Sequence, residues 1–306
     1  MLKSFAAIAL AAIALTWTPA LLAQPAKPAD VQVRADLEYA VHDGVKLTGT
    51  LYGPRGTDKR PVIVAIHGGG WQAGSPAGYQ FWGPYLAARG YALFAIRYRL
   101  ATPNQPMYPQ AVYDVRAAIQ FVRARAADLG ADGERIALMG DSAGGHLAAL
   151  VALAGESYDS LYRDDPHAKV SVRVKAVIPV YGVYDMVAQW NHDQLHRPTD
   201  QISQTFLGTT PARDRRRFID ASPISYATIR DDAPSFLLGW GTEDDIVEPK
   251  TQAEPFLVAL KQARFFVRTV IVTGAPHFWN SDPIEEPESH AGFLAPRLLR
   301  LLAQRL

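Results

Sequence analysis

Ile136-Ala137-Leu138-Met139-Gly140-Asp141-Ser142-Ala143-Gly144-Gly145 sets the reading of this 306-residue chain. Its first four residues are continuously apolar, as a strand covered on both faces must be. The run passes directly into G-x-S-x-G, a pattern that makes a sharp strand-to-helix turn. That turn crowds the backbone, so its flanking positions need glycine. The serine is then held with its hydroxyl exposed at a helix N-terminus, where amide dipoles favour a developing negative charge. Residues 142–154 are alanine-rich and fit the helix that should follow. A plain N-cap serine with packing glycines would leave a similar local trace, so the reading needs support from elsewhere in the chain.

Working outward, the same buried, β-branched kind of run recurs at 61–66, 91–96, 176–180, 236–238 and 266–272. Helical spacing of apolar residues fills 113–129, 250–263 and 292–302. Strand and helix in alternation predict an α/β fold with a mostly parallel central sheet and helices on both faces. Upstream, 37–41 and 45–52 flank His42-Asp43-Gly44, a turn signal that should pair them antiparallel. In open sheets of this kind the chemistry lies at the carboxyl ends of the strands.

Two further strand ends carry it. The run at 61–66 stops at His67-Gly68-Gly69-Gly70-Trp71. Glycines let the backbone approach a substrate closely enough to point bare amides at it. Acyl transfer needs such donors for the oxyanion of its tetrahedral intermediate. The candidates are the N–H groups of Gly69, Gly70 and Ala143, with His67 bracing the loop. The run at 236–238 continues as Gly239-Trp240-Gly241-Thr242-Glu243-Asp244-Asp245-Ile246-Val247, where three carboxylates compete to orient a base. The last strand ends in Ala275-Pro276-His277-Phe278-Trp279. His277 can reach across to Ser142, and the order serine, acid, histidine is the one this architecture requires. His146 and His290 are the weaker candidates, one packing on the nucleophile helix and the other beside an acidic loop.

His67-Gly68-Gly69-Gly70-Trp71 together with Gly140-Asp141-Ser142-Ala143-Gly144-Gly145 resembles the α/β-hydrolase esterases, in the branch of the hormone-sensitive-lipase-like carboxylesterases. Tyr98-Arg99-Leu100, Pro109, Asp114 and Arg135-Ile136 are similar to that branch too. The resemblance implies the α/β-hydrolase fold, cleavage of carboxylic esters, and no cofactor or metal. Its Asp-x-x-Val pattern falls on Asp244 to Val247 and so selects Asp244 over Glu243 and Asp245. Members usually carry a sizeable N-terminal cap. Here about a dozen residues separate an expected signal-peptide cut after Ala23 from the first strand, so a more open pocket is expected, as in exported esterases that remove acetyl or feruloyl groups from plant polysaccharides.

The remaining features bound the reading. Charge is nearly balanced, 31 basic against 30 acidic residues, which argues against nucleic-acid binding. Arg213-Asp214-Arg215-Arg216-Arg217 reads as a solvated helix face. There is no cysteine, hence no disulfide and no thiolate metal site. Residues 1–23, with Lys3 and an apolar run over 5–15, read as a secretory signal peptide cut after Ala23. That run is short against the roughly 20 residues of a membrane span, so the expectation is export to the periplasm or beyond, with no stable membrane insertion after cleavage. Residues 24–36 read as a flexible lead-in, 37–306 as the catalytic domain, and 181–232 as a small inserted cap. Trp71, Trp190 and Trp279 are the expected substrate walls. The partner is a small-molecule or polysaccharide-linked ester. A peptidase on this fold would need an extra domain for which there is no room, and an inactive binding scaffold would not keep every catalytic position filled. Oligomeric state leaves no trace in the sequence.

Overall fold

A computed structural model describes residues 31–56, 59–158 and 161–306. Eight strands form one sheet in the order β1-β2-β4-β3-β5-β6-β7-β8. They are β1 (Val31–His42), β2 (Val45–Pro54), β3 (Arg60–Ile66), β4 (Ala92–Ile96), β5 (Ala131–Asp141), β6 (Ala176–Val180), β7 (Ser235–Gly241) and β8 (Val267–Val272). The β1–β2 and β2–β4 ladders are antiparallel, and every other ladder is parallel.

Except in β8, which lies at the sheet edge and exposes Arg268, Thr269 and Ile271, the apolar runs are buried because both faces of the sheet are covered. Along β3 the side chains alternate between two cores: Val62, Val64 and Ile66 join one, Ile63 and Ala65 the other. On the first side lie α2 (Gln110–Ala124), α4 (Ala143–Ala154) and α8 (Ala253–Gln262). On the second lie α1 (Trp82–Ala87) and α9 (His290–Arg305). The chain leaves β3 toward β4 on one side, and leaves β5 toward β6 on the other. Between β3 and β5 the winding therefore reverses, and the segments after them diverge to open a crevice.

Several boundaries differ from the sequence reading. The ladder begins at Val31, paired with Pro54, so 31–36 belongs to the sheet and not to a lead-in. Half of that edge strand is exposed, and the alternation of Val31, Val33 and Ala35 with Gln32, Arg34 and Asp36 was the available signal, although a register shift interrupts the ladder after Arg34. The helix expected over 113–129 starts at Gln110 and breaks at Arg125 before the short α3 (Ala126–Leu129). The inserted region contains α5 (Met186–His196), α6 (Ile202–Leu207) and α7 (Arg215–Asp220). Arg215 and Arg216 are exposed as expected, but Arg217 is half-buried and donates to the carbonyls of Leu207, at 2.6 Å, and Tyr108. The segment read as an export signal, with the start of the lead-in, lies outside the described residues. Among the described residues no helix is long and apolar enough to cross a membrane.

Candidate active site

The turn from β5 into α4 is as tight as its glycines imply. A Cβ on Gly144 would lie 1.9 Å from the Ile66 carbonyl oxygen, and one on Gly140 would lie 2.2 Å from that of Gly144. Ser142 takes φ 52° and ψ −120°, a sparsely populated conformation that costs a non-glycine residue about 1–3 kcal/mol. The Ser142 N–H donates to the Val180 carbonyl at 2.9 Å, tying the strained residue to β6.

His277 follows β8 and bridges two partners. Its Nε2 is 2.9 Å from Ser142 Oγ, and its Nδ1 is 2.7 Å from Asp244 Oδ2. All three side chains are buried. The Asp244 carboxylate can only accept, so Nδ1 carries the proton and Nε2 is left to accept from the serine hydroxyl. The other carboxylate oxygen of Asp244 accepts from the N–H groups of Ile246 and Val247 at 3.1 and 2.9 Å, which fixes its rotamer. Glu243 and Asp245, the sequence competitors, are exposed. His290 sits at the start of α9, 3.7 Å from Asp282.

The loop after β3 runs alongside. Gly69 has φ 109°, and a Cβ there would lie 2.4 Å from the Ala73 carbonyl oxygen. The Gly69 carbonyl accepts from Gln72 and Ala73, closing the loop on itself. Among the described residues, no backbone or side-chain acceptor takes the N–H of Gly69, Gly70 or Ala143. His67 stacks on Tyr98 with ring centroids 4.4 Å apart and bonds the Gly68 carbonyl through Nδ1 at 2.8 Å. Burial pulls its imidazole down to about 4, so it braces the loop as a neutral ring.

Ser142, His277, Gly69, Gly70 and Ala143 line a single cavity of about 330 Å³. Val183, Ile202, Ile246, Val247 and Phe278 give it apolar surface. Gln189 and Asp193, four apart and so on the same side of α5, give it one polar face together with Arg197, which caps the end of that helix. The same helical spacing turns Trp190 away. Trp190 packs half-buried against the core, and Trp279 lies buried beside Tyr181 at 5.2 Å. Neither lines the cavity, so both are corrected as substrate walls. Trp71 does line it, yet its ring is buried and stacks on Phe206 at 4.5 Å. Phe278 is the aromatic ring that stands open there, 60% exposed and held at φ 71°. Its position next to His277 was the available signal.

Two more residues close to the chemistry were not signalled. Tyr181 packs on the His277 ring at 4.5 Å. The Tyr79 hydroxyl reaches Asp141 Oδ1 at 3.0 Å and the Ile66 carbonyl at 3.1 Å. Burial pushes the Asp141 carboxyl up to about 6, against the lowering effect of that hydroxyl. Among the described residues, no group of three or more His, Cys, Asp or Glu is placed to hold a metal ion.

A family model, BD-FAE, matches residues 50–260 and so takes in β3, the glycine loop, Ser142 and Asp244. The chain belongs to the BD-FAE family. This BD-FAE chain is 33% identical over 215 residues to the probable carboxylic ester hydrolase LipM of Mycobacterium tuberculosis, covering 67% of this chain and 46% of LipM. It is 34% identical over 224 residues to the esterase LipC of the same organism, covering 72% of this chain and 53% of LipC. The chain thus spans about half the length of the curated relatives it matches. Among solved structures it resembles the propionate-bound esterase Est2 of Thermogutta terrifontis, with a TM-score of 0.70, 27% identity, and coverage of 91% of this chain and 96% of that one. Sheet order and likeness together make this an α/β-hydrolase fold of the hormone-sensitive-lipase-like carboxylesterase type.

Proposed function

We propose that this chain is a serine carboxylic-ester hydrolase that works through an acyl-enzyme. One observation carries the reading: a single imidazole bonds Ser142 on one side and Asp244 on the other, beside three unclaimed amides. Ser142 Oγ attacks the ester carbonyl carbon as its proton passes to His277 Nε2. The carbonyl oxygen takes the displaced electron pair and rests on the N–H groups of Gly69, Gly70 and Ala143, each donor worth about 3 kcal/mol. His277 then protonates the departing alcohol. Water enters, gives a proton to His277 and attacks the acyl carbon, and Ser142 leaves with that proton returned. Asp244 stays ionised throughout, keeping the tautomer and stabilising the imidazolium.

Small-acyl esters, or acetyl and feruloyl groups linked to a polysaccharide, are the proposed substrates. The modest cavity with its apolar lining supports a short acyl group, as does the propionate bound to Est2. The polar face of α5 and the exposed Phe278 suit an alcohol half that remains partly in solvent. Export through residues 1–23 would place the enzyme where such polymers are met, and N-terminal sequencing of the secreted protein should begin at Gln24.

Replacing Ser142 by Ala should lower kcat on 4-nitrophenyl acetate by at least about 10³-fold. Retained activity would overturn the assignment. Acetylated xylan, methyl ferulate, 4-nitrophenyl butyrate and peptide anilides, tested side by side, rank the substrate classes. Preference for the anilides would replace the esterase reading with a peptidase one.

A further inference from the structure

The scheme above gives His146 no duty, yet it is fully buried one turn beyond Ser142. Its backbone N–H donates to the Ser142 carbonyl at 2.9 Å. Its ring has two partners from distant segments. The Trp71 indole N–H donates to Nδ1 at 3.1 Å, and Nε2 lies 2.8 Å from the Ala221 carbonyl oxygen. An indole can only donate and a carbonyl can only accept. The ring is therefore a neutral imidazole with its proton on Nε2, and burial keeps it neutral by pulling it down to about 4.

What the ring joins matters. Trp71 directly follows Gly70 in the loop that carries two of the three donors, and its own backbone is held at φ 58°. Ala221 closes α7 in the inserted region. One side chain thus connects the donor loop, the nucleophile helix and the insertion. A triple-glycine loop has high backbone freedom, whereas donors must sit about 3 Å from the developing oxyanion. A displacement of about 1 Å in such a site costs on the order of 10²-fold.

We propose that His146 is a positioning residue for the reaction: by accepting from the Trp71 indole it sets the Gly69 and Gly70 amides against Ser142. This rests on the ester-hydrolase reading of the site. The oxyanion exists only past the ground state, so misplaced donors lower kcat while substrate binding is largely kept.

The test is a set of variants assayed on 4-nitrophenyl acetate, each with its melting temperature recorded. In His146→Asn the carboxamide oxygen stands near the former Nδ1 and accepts from Trp71, so most of kcat should remain. His146→Gln reaches toward Ala221 but offers nothing to the indole, and kcat should fall at least about 30-fold with KM within about threefold. Trp71→Phe removes the same bond from its other end. It should show a similar loss, and adding His146→Gln to it should cost little more. Equal losses in the Asn and Gln variants, a loss confined to KM, or additive losses in the double variant would overturn the proposal. Should His146→Gln fail to fold, the split between His146→Asn and Trp71→Phe decides alone. Failure of the unmodified protein to turn over the ester would strike the hydrolase reading itself, before any variant is compared.

Discussion

The loop after β3 and the inserted helices face each other across one cavity, and they are built by opposite rules. The loop is made almost wholly of backbone. Gly68, Gly69 and Gly70 leave no room for side chains, and a Cβ on Gly68 would lie 2.5 Å from Asp141 Oδ2. The inserted helices do their work with side chains. Gln189 donates to Asp193 at 2.9 Å and to the Ile246 carbonyl at 2.9 Å, and Asp193 accepts from Ser203 at 3.3 Å. The first region fixes the geometry of charge stabilisation and tolerates no substitution. The second shapes what enters the cavity, and many side-chain sets of similar volume and polarity would serve.

If that contrast is real, changes at strand ends should be severe and changes on the insertion graded. Asp244→Asn should give the largest effect after loss of the nucleophile, about 10³–10⁴-fold in kcat, because it favours the wrong tautomer of His277. A loss below about tenfold would mean that Glu243 or Asp245 takes its place. Gly144→Ala comes next: the β3 and β5 ends must part, costing about 3 kcal/mol or more, measured by urea unfolding, with activity lost in parallel. An unaffected variant would show that the turn is looser than its contacts imply.

His146 gives a smaller effect on stability, with a sign set by pH. Its native imidazole titrates near 4, against about 6.5 when unfolded. The unfolded chain therefore takes up a proton that the native one refuses. Stability is full above about pH 6.5 and falls as pH drops toward 4, by about 3 kcal/mol from this ring. Asp141 works the other way, since its raised carboxyl is stabilised in the protonated form and costs stability as pH rises through about 6. His146→Asn should remove its share of the acid-side loss, seen as a shallower fall in melting temperature between pH 6.5 and 4. An unchanged slope would sink this attribution. Smallest of all, Trp190→Phe should alter kcat/KM by less than about threefold, since its ring does not line the cavity. Phe278→Ala should raise KM by about five- to tenfold for aromatic acyl esters, consistent with the loss of one well-placed apolar contact. Reversal of that order would return Trp190 to the substrate wall.

The same contrast explains what could be read from the sequence. Strands covered on both faces need unbroken apolar runs, so β3 through β7 were legible apart from their ends, while the edge strand β8, which exposes Arg268, Thr269 and Ile271, was legible from its β-branched residues. Ser142, the glycine loop and His277 stand where those strands stop, and the backbone geometry of the turns leaves glycine as a trace. The structure brings Ser142, His277 and Asp244 into one hydrogen-bonded line. By contrast, α6 and α7 have six residues each, too few for a periodic pattern. They are held by contacts from afar, such as Arg217 to the Leu207 carbonyl. The arginine cluster looked like a solvated face because nothing local distinguishes Arg217 from its neighbours. Trp190 and Trp279 were misplaced for a related reason: being aromatic does not tell which side of a short element a residue faces.

The unusual φ of 52° at Ser142 has a consequence for anyone who would improve this protein. Glycine adopts that conformation without penalty, so a Ser142→Gly change relaxes the turn while removing the reactive oxygen. A selection scheme that rewards heat resistance alone would therefore drift toward inert variants at this position. Screening must score turnover and melting together, or the hardiest survivors will have surrendered their trade.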